Sequence, residues 1–336
     1  MTQSIRLLSV VVPVFNEEAV IGEFNRRMTE TLRDLPLDWE LIYVNDGSRD
    51  ASVRLIHEFL DRSPNTTLLD LSRNFGKEAA MTAGIDHASG DALVVIDADL
   101  QDPPELIPEM LRVFHSGDYD VVYAQRASRR GETFLKKSSA HLFYRIMGRL
   151  TGIEIPRDTG DFRLLNSRAI EALRRLREHH RFMKGLFAWI GFRQVAMLYD
   201  RDARFAGESK FDYWRLWNFS LEGITSFTTA PLKVASYVGL VTSIGAAMYG
   251  LVIVLRTLIF GNPVAGYPSL LVFILFLGGL QLLTLGIMGE YLGRVFNESK
   301  HRPLYFVREH IRGSVGEAHA KASTDITPDP APALPE

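Results

Sequence analysis

Two long apolar runs late in the chain constrain its fold more than any other feature. Val234 to Leu255 and Leu270 to Ile287 are nearly free of charge, and each approaches the ~20 residues an α-helix needs to cross a bilayer core. The link between them, Gly261 to Pro268, is short and contains glycine and proline. The two runs are therefore expected to form an antiparallel hairpin of helices at about 234–256 and 269–292. Lys233 flanks one outer end and Arg294, Lys300, Arg302 and Arg308 the other, while the link adds no Lys or Arg beyond Arg256. Positive charge favours the cytoplasmic side, which places both hairpin ends and the preceding domain there.

The first half reads differently. Apolar, β-rich runs at Leu7–Val14, Glu40–Asn45, Thr67–Ser72, Ala92–Asp97 and Asp120–Ala124 alternate with helical patterns beginning near Asn16, Ala51, Lys77 and Pro104. Near-continuous Val/Ile/Leu strands between helices imply a mostly parallel sheet covered on both faces, an α/β fold. The run at Leu7–Val14 is short, contains Pro13 and lacks a small-residue cleavage site, so it reads as a strand rather than a signal peptide. The middle, Gln125 to Phe211, reads as irregular and Arg-rich. Tyr213, Trp214, Trp217 and Phe219 suggest an amphipathic segment at a membrane interface. The expected division is a domain at 1–210, an interfacial segment at 211–230, two transmembrane helices within 231–293, and a basic juxtamembrane segment with a disordered tail at 294–336.

Composition excludes several functions. A net charge of −2 gives no electrostatic case for nucleic acid. The absence of cysteine removes disulfides, thiol catalysis and Cys-based metal centres. No Gly-x-Gly-x-x-Gly follows the first strand and there is no P-loop, which argues against dinucleotide oxidoreductases and kinases. The histidines form no metal-spaced set, and His179-His180 reads as a helix end. Glu290 and Arg294, four apart, read as an interfacial helical pair.

Ligands on parallel sheets bind at the carboxyl ends of the strands, and the polar residues collect there: Asn16-Glu17, Asp46-Gly47-Ser48, Arg73-Asn74 and Asp97-Ala98-Asp99. The fourth strand runs off its end at Asp97, and its two-residue period aims Asp97 and Asp99 at one side. Two such carboxylates repel unless a cation lies between them, and an oxygen-only donor set selects a hard ion, Mg²⁺ or Mn²⁺, bridging to a diphosphate. Asn16 has the competing reading of a helix N-cap, and Asp46-Gly47 that of a simple turn.

Together these residues resemble a known family. Val12-Pro13-x-Phe15-Asn16-Glu17, Asn45-Asp46-Gly47-Ser48, Arg73-Asn74-x-Gly76-Lys77, Gly90-Asp91, Asp97-Ala98-Asp99-Leu100-Gln101-Asp102-Pro103-Pro104-Glu105 and Gly160-Asp161-Phe162-Arg163 resemble family 2 glycosyltransferases of the polyprenyl-phosphate branch, the bactoprenol glucosyltransferases most of all. The Gln-x-x-Arg-Trp signature of the processive synthases is absent. The resemblance implies a GT-A fold, an inverting reaction and Mg²⁺ or Mn²⁺. It implies nucleotide-sugar contacts from Pro13, Phe15, Glu17, Asp46, Arg73, Lys77 and Asp97, metal contacts from Asp97, Asp99 and Gln101, and a catalytic carboxylate at Asp158 or Asp161. A tetramer occurs in the resembling group, so a homo-oligomer is expected.

The expected partners are a nucleotide-sugar donor, a polyprenyl phosphate acceptor and membrane lipid, at the cytoplasmic face of a bacterial inner membrane. A phosphate monoester, with a second pKa around 6, is already largely ionised at neutral pH. Asp158 and Asp161 are thus expected to orient arginines or sugar hydroxyls rather than to abstract a proton. Arg126, also a catalytic candidate, with Arg129, Arg130, Arg201, Arg204 and Lys210, would offset the repulsion between diphosphate and lipid phosphate. UDP-glucose is the expected donor. The competing readings are a GDP-mannose or UDP-linked amino-arabinose donor, and a catalytically silent membrane scaffold.

Overall fold

The structure, a computed structural model, describes residues 5–126, 156, 159–199, 228–260 and 266–314. The five apolar runs form β1 (Leu7–Val14), β2 (Asp38–Asn45), β3 (Thr66–Leu71), β4 (Ala92–Val95) and β5 (Val121–Arg126). Between them lie α1 (Ile21–Arg33), α2 (Ser52–Leu60), α3 (Lys77–His87) and α4 (Ile107–Ser116). A 3-10 turn at Pro104–Leu106 leads into α4, where the fixed φ of proline suits a first helical turn.

One sheet of eight strands results, in the order β7-β5-β6-β4-β1-β2-β3-β8. Six strands run one way, while β6 and β8 run against them. This is the GT-A-like, mostly parallel sheet that the motifs lead one to expect. Its central strands are largely apolar because both faces are covered: Val10 and Val12 pack with Phe24 and Met28, and Val11 and Val44 pack with Ala80 and Met81. Helix α3 lies so close to the sheet that a Cβ on Gly84 would come within 2.2 Å of Val11 Cγ1.

The middle of the chain is more regular than its composition suggests. It supplies β6 (Thr159–Asn166), α5 (Ser167–Arg175), α6 (Met183–Trp189) and β7 (Gln194–Tyr199). Strand β6 hides in the sequence because it carries Asp161 and Arg163, and both charged side chains are buried. Asn166 ends it and caps α5, its side chain accepting from the Ala169 N–H at 2.9 Å.

After residue 227 come α7 (Ala230–Phe260) and α8 (Tyr267–Ser299). Helix α7 is long and apolar enough to cross a membrane, and outward-facing residues such as Leu258 and Phe260 are 77% and 79% exposed. The two helices touch through Tyr249 and Phe273, whose ring centroids lie 5.3 Å apart. At the other end the Tyr291 hydroxyl donates to the Thr228 carbonyl at 2.7 Å. Glu290 and Arg294 pair at 3.1 Å as their spacing implies.

Beyond α8 the chain returns to the sheet as β8 (Val307–Arg312), antiparallel to β3. The reading of 294–336 as a juxtamembrane segment and tail therefore needs correcting: six of its residues, Val307–Arg312, belong to the sheet. No local pattern reveals them, because β8 exists only as a partner for the free edge of β3. His179-His180 is also not a helix end. It lies between α5 and α6, and the His179 N–H donates to Glu298 Oε1 at 2.7 Å, which fastens the foot of α8 to the sheet domain. The interfacial segment up to residue 227 and the tail from 315 lie outside the described residues.

Candidate active site

The loops after β1, β2, β3 and β4 meet at the carboxyl edge of the sheet, knitted by side chain to backbone hydrogen bonds. Asn16, in the left-handed region at φ 56°, is not an N-cap. Its Oδ1 accepts from the Arg49 N–H at 2.8 Å, and its own N–H donates to Ser48 Oγ at 3.0 Å. The Glu17 N–H donates to Ser52 Oγ at 2.9 Å. Asp46 is more than a turn residue. Buried, it accepts from the N–H groups of Phe75 and Gly76 at 2.7 and 3.0 Å and so sets the loop that carries Arg73. Gly47 makes this possible: at φ 70°, a Cβ would stand 2.7 Å from the Asn74 nitrogen.

These loops enclose a cleft of about 340 Å³ lined by Phe15, Asn16, Gly47, Ser48, Arg49, Ser72, Arg73, Asn74 and Arg308. Phe15 presents its ring, 45% exposed, at β1's end, just after Pro13, whose register partner is Val44. Arg73 lies over the Phe75 ring at 4.1 Å. An apolar ring beside three guanidinium groups suits a ligand that is flat at one end and anionic at the other.

Next to the cleft stand the acidic residues. Strand β4 stops at Val95, so Asp97 and Asp99 are not on the strand. They sit in the turn beyond it, which Leu100 completes with φ 57°. The strand alternation expected to align them does not operate there. The turn holds both partly exposed, with Asp99 Oδ1 accepting from the Gln101 N–H at 3.1 Å. Asp102 turns inward and accepts from the Tyr199 hydroxyl.

Lys77, the first residue of α3, joins Asp97 to Asp161. Its Nζ lies 2.7 Å from Asp97 Oδ1 and 2.5 Å from Asp161 Oδ2. Burial raises the pKa of Asp97, and Asp161 and Asp99 add to that against the pull of Lys77. At Asp161 burial is outweighed by Lys77, Lys184 and Arg163, which hold its carboxyl well below the usual range. Arg163 is buried over the Phe187 ring at 3.8 Å, and burial pushes it down to about 10. Glu78, beside Lys77, accepts from the Met183 N–H at 3.0 Å, and burial with the Asp161 charge pushes it up to about 7.

The motif residues thus separate into a cleft (Phe15, Arg73) and an acidic cluster (Asp97, Asp99, Asp161, Lys77). Arg126 ends β5 as expected, with its Nε buried and without a hydrogen-bond partner among the described residues. Asp158, Arg129, Arg130, Arg201, Arg204 and Lys210 lie outside the described residues. Sequence reasoning missed Glu78, Lys184, Arg49 and Arg308. Arg49 follows the Asp46-Gly47-Ser48 motif directly and Glu78 follows Lys77, but Lys184 and Arg308 lie outside every motif.

The Glycosyl transferase family 2 profile matches residues 9–174. A bactoprenol glucosyl transferase of Shigella phage SfV is 46% identical over 90% of this chain and 98% of its own length. The chain belongs to glycosyltransferase family 2. A prophage bactoprenol glucosyl transferase homolog of Escherichia coli K12 is 44% identical over 90% of this chain and 98% of its own. An uncharacterized glycosyltransferase of Synechocystis reaches 50% identity over 90% and 95%. This family 2 enzyme therefore matches those relatives over nine tenths of its length.

Proposed function

We propose that this glycosyltransferase transfers one glucose from UDP-glucose to undecaprenyl phosphate, with inversion, at the cytoplasmic membrane face, for modification of cell-envelope glycans. The names of the relatives support the lipid carrier and the sugar. The observation that carries the reading is the bridging of Asp97 and Asp161 by Lys77, with Asp99 in the same turn as Asp97, together with a cleft lined by Phe15 and three arginines.

The donor set fits a hard divalent ion. Among the described residues no group of three acidic or histidine ligands exists, and two carboxylates with diphosphate oxygens completing the shell is how Mg²⁺ is usually held. Asp97 and Asp99, with Gln101 beside them, would hold Mg²⁺ or Mn²⁺. Bound there, the ion supplies charge stabilisation for the departing diphosphate.

The protein's own residues divide the remaining work. Phe15 and the Arg49–Arg73 side of the cleft hold the nucleoside and its charge. Lys77 keeps Asp97 and Asp161 from repelling one another. An oxygen of the lipid phosphate attacks the anomeric carbon as its bond to the UDP oxygen breaks, so UDP leaves from the opposite face. That oxygen is already ionised, and Asp161, held anionic, is too weak a base to assist; it orients sugar hydroxyls and neighbouring cations. Arg126, whose Nε has no hydrogen-bond partner among the described residues, offsets the charge of the incoming phosphate. Helices α7 and α8 anchor this site at the bilayer where that phosphate lies.

The test is a panel of radiolabelled nucleotide-sugars with membranes containing polyprenyl phosphate, with and without EDTA. Label from UDP-glucose should enter the lipid fraction and disappear with chelator. Equal product in both arms would remove the metal from the reading, and a mannose or amino-arabinose product would replace the donor.

A further inference from the structure

Strand β8 carries a bulge. Asp70 pairs with Glu309 and Leu71 with Val307, so Arg308 is the extra residue between them. Bulges bend a strand and re-aim a side chain, and they concentrate at sheet edges beside active sites. Here the bulge lies opposite the carboxyl end of β3, the edge at which the ligand loops gather. Among the described residues, Arg308 is the one that lines the cleft from beyond the long helices.

Its orientation is fixed by a polar chain. Arg308 Nε donates to Asp70 Oδ2 at 2.9 Å, and Nη2 donates to the same oxygen. Asp70, buried, accepts on Oδ1 from Asn45 Nδ2 at 2.7 Å, and Asn45 Oδ1 accepts from the Ser48 N–H at 3.0 Å. The guanidinium is therefore tied to the Asn45-Asp46-Gly47-Ser48 loop, yet its side chain is 55% exposed. Nη1 carries no bond among the described residues and remains to meet a ligand. Such a group is held still at no cost to the ligand's binding.

The place of Arg308 in the sheet says which part of the ligand it meets. β8 lies four strands from β4, roughly 19 Å at ~4.8 Å per step. That is too far for the diphosphate held at Asp97 and Asp99, and on the side where the nucleoside extends past Phe15. We infer that Arg308 reads the nucleobase, donating from Nη1 to an exocyclic carbonyl oxygen and so favouring uracil over cytosine, whose amino group offers only donors at the corresponding position. This rests on the nucleotide-sugar reading above and extends it to the choice of base.

The experiment is calorimetric binding of UDP and CDP to the full chain in detergent with Mg²⁺, for wild type, Arg308→Met and Arg308→Lys, alongside melting temperature and protease sensitivity of the β8 segment. Wild type should prefer UDP. Arg308→Met should bind UDP roughly tenfold more weakly, the worth of one charge-assisted hydrogen bond, with little change for CDP, so the preference collapses. Arg308→Lys keeps the positive charge toward Asp70 but not the fork, and should lose most of the preference with β8 docked, which covers the case in which Arg308→Met undocks it. An unchanged UDP/CDP ratio in the docked variant, or equal weakening of both nucleotides, overturns the base-reading role alone. A wild type that binds neither nucleotide overturns the donor reading and this inference with it.

Discussion

At the scale of single residues, the acidic cluster is a balance of charges. Lys77 stands between two carboxylates, one of them buried, so Lys77→Met should leave Asp97 and Asp161 in mutual repulsion. A loss of about 1–2 kcal/mol is expected in urea unfolding, less than for a fully buried pair because Lys77 is half-exposed. Asp97→Asn and Asp99→Asn should each lower sugar transfer by about three orders of magnitude while leaving the fold intact, as seen in transfer assays and circular dichroism. Glu78 makes a pH prediction. Its folded pKa of about 7 lies above its ordinary 4.5, so the folded state binds more protons between those values and stability falls as pH rises through that window. Glu78→Gln can still accept from Met183, and should flatten the decline of melting temperature between roughly pH 4.5 and 7.

At the scale of elements, the loops carry the proposed site and the helices hold them in place. The loop after β2 touches the loop after β3 so closely that Gly47→Ala meets both a positive φ and backbone at 2.7 Å. About 1–2 kcal/mol of destabilisation is expected from the strain, together with weaker UDP binding, since the Arg73 loop must move. Gly84→Ala tests a different contact. Its Cβ would press on Val11 below β1, costing about 1–3 kcal/mol without touching a ligand, so affinity for UDP should hold while the urea midpoint falls. The strands at the five apolar runs were legible because burial on both faces leaves long unbroken Val/Ile/Leu stretches. β6 was not legible, because its buried Asp161 and Arg163 interrupt that pattern and are held by distant partners, Lys77 and the Phe187 ring among them.

At the scale of the whole molecule, the chain leaves the sheet domain at α7 and returns to it as β8. Tyr291 meets Thr228 at the base of the helix pair, and His179 grips Glu298 where α8 ends. Burial opposes the Glu298 charge, but the bonds from His179 hold its pKa below the ordinary value. That contribution is fully present at neutral pH, above the unfolded pKa, and is lost only in acid, as pH falls through the lower folded one. At neutral pH, Glu298→Ala should loosen the foot of α8, read as faster proteolysis between residues 299 and 306 with sugar transfer reduced rather than abolished. The apolar surface of α7, exposed along its length, predicts that the chain stays with the membrane pellet under alkaline carbonate extraction.

The sequence alone determined the alternating sheet and helix pattern, the long apolar runs and the positions of Asp46, Asp97 and Asp99. These rest on local periodicity and on strand-end chemistry, which neighbours in the chain express directly. Tertiary structure decided what depends on distant neighbours. It moved the Asp97–Asp99 pair off the strand and into a turn, gave both oxygens of Asp46 to the Arg73 loop, and set Lys77 between two acids 20 and 84 positions away. It also brought Arg308 to Asp70 across 238 positions. A strand that exists only because another leaves its edge unpaired has no pattern of its own, so no reading of residues in order can find it.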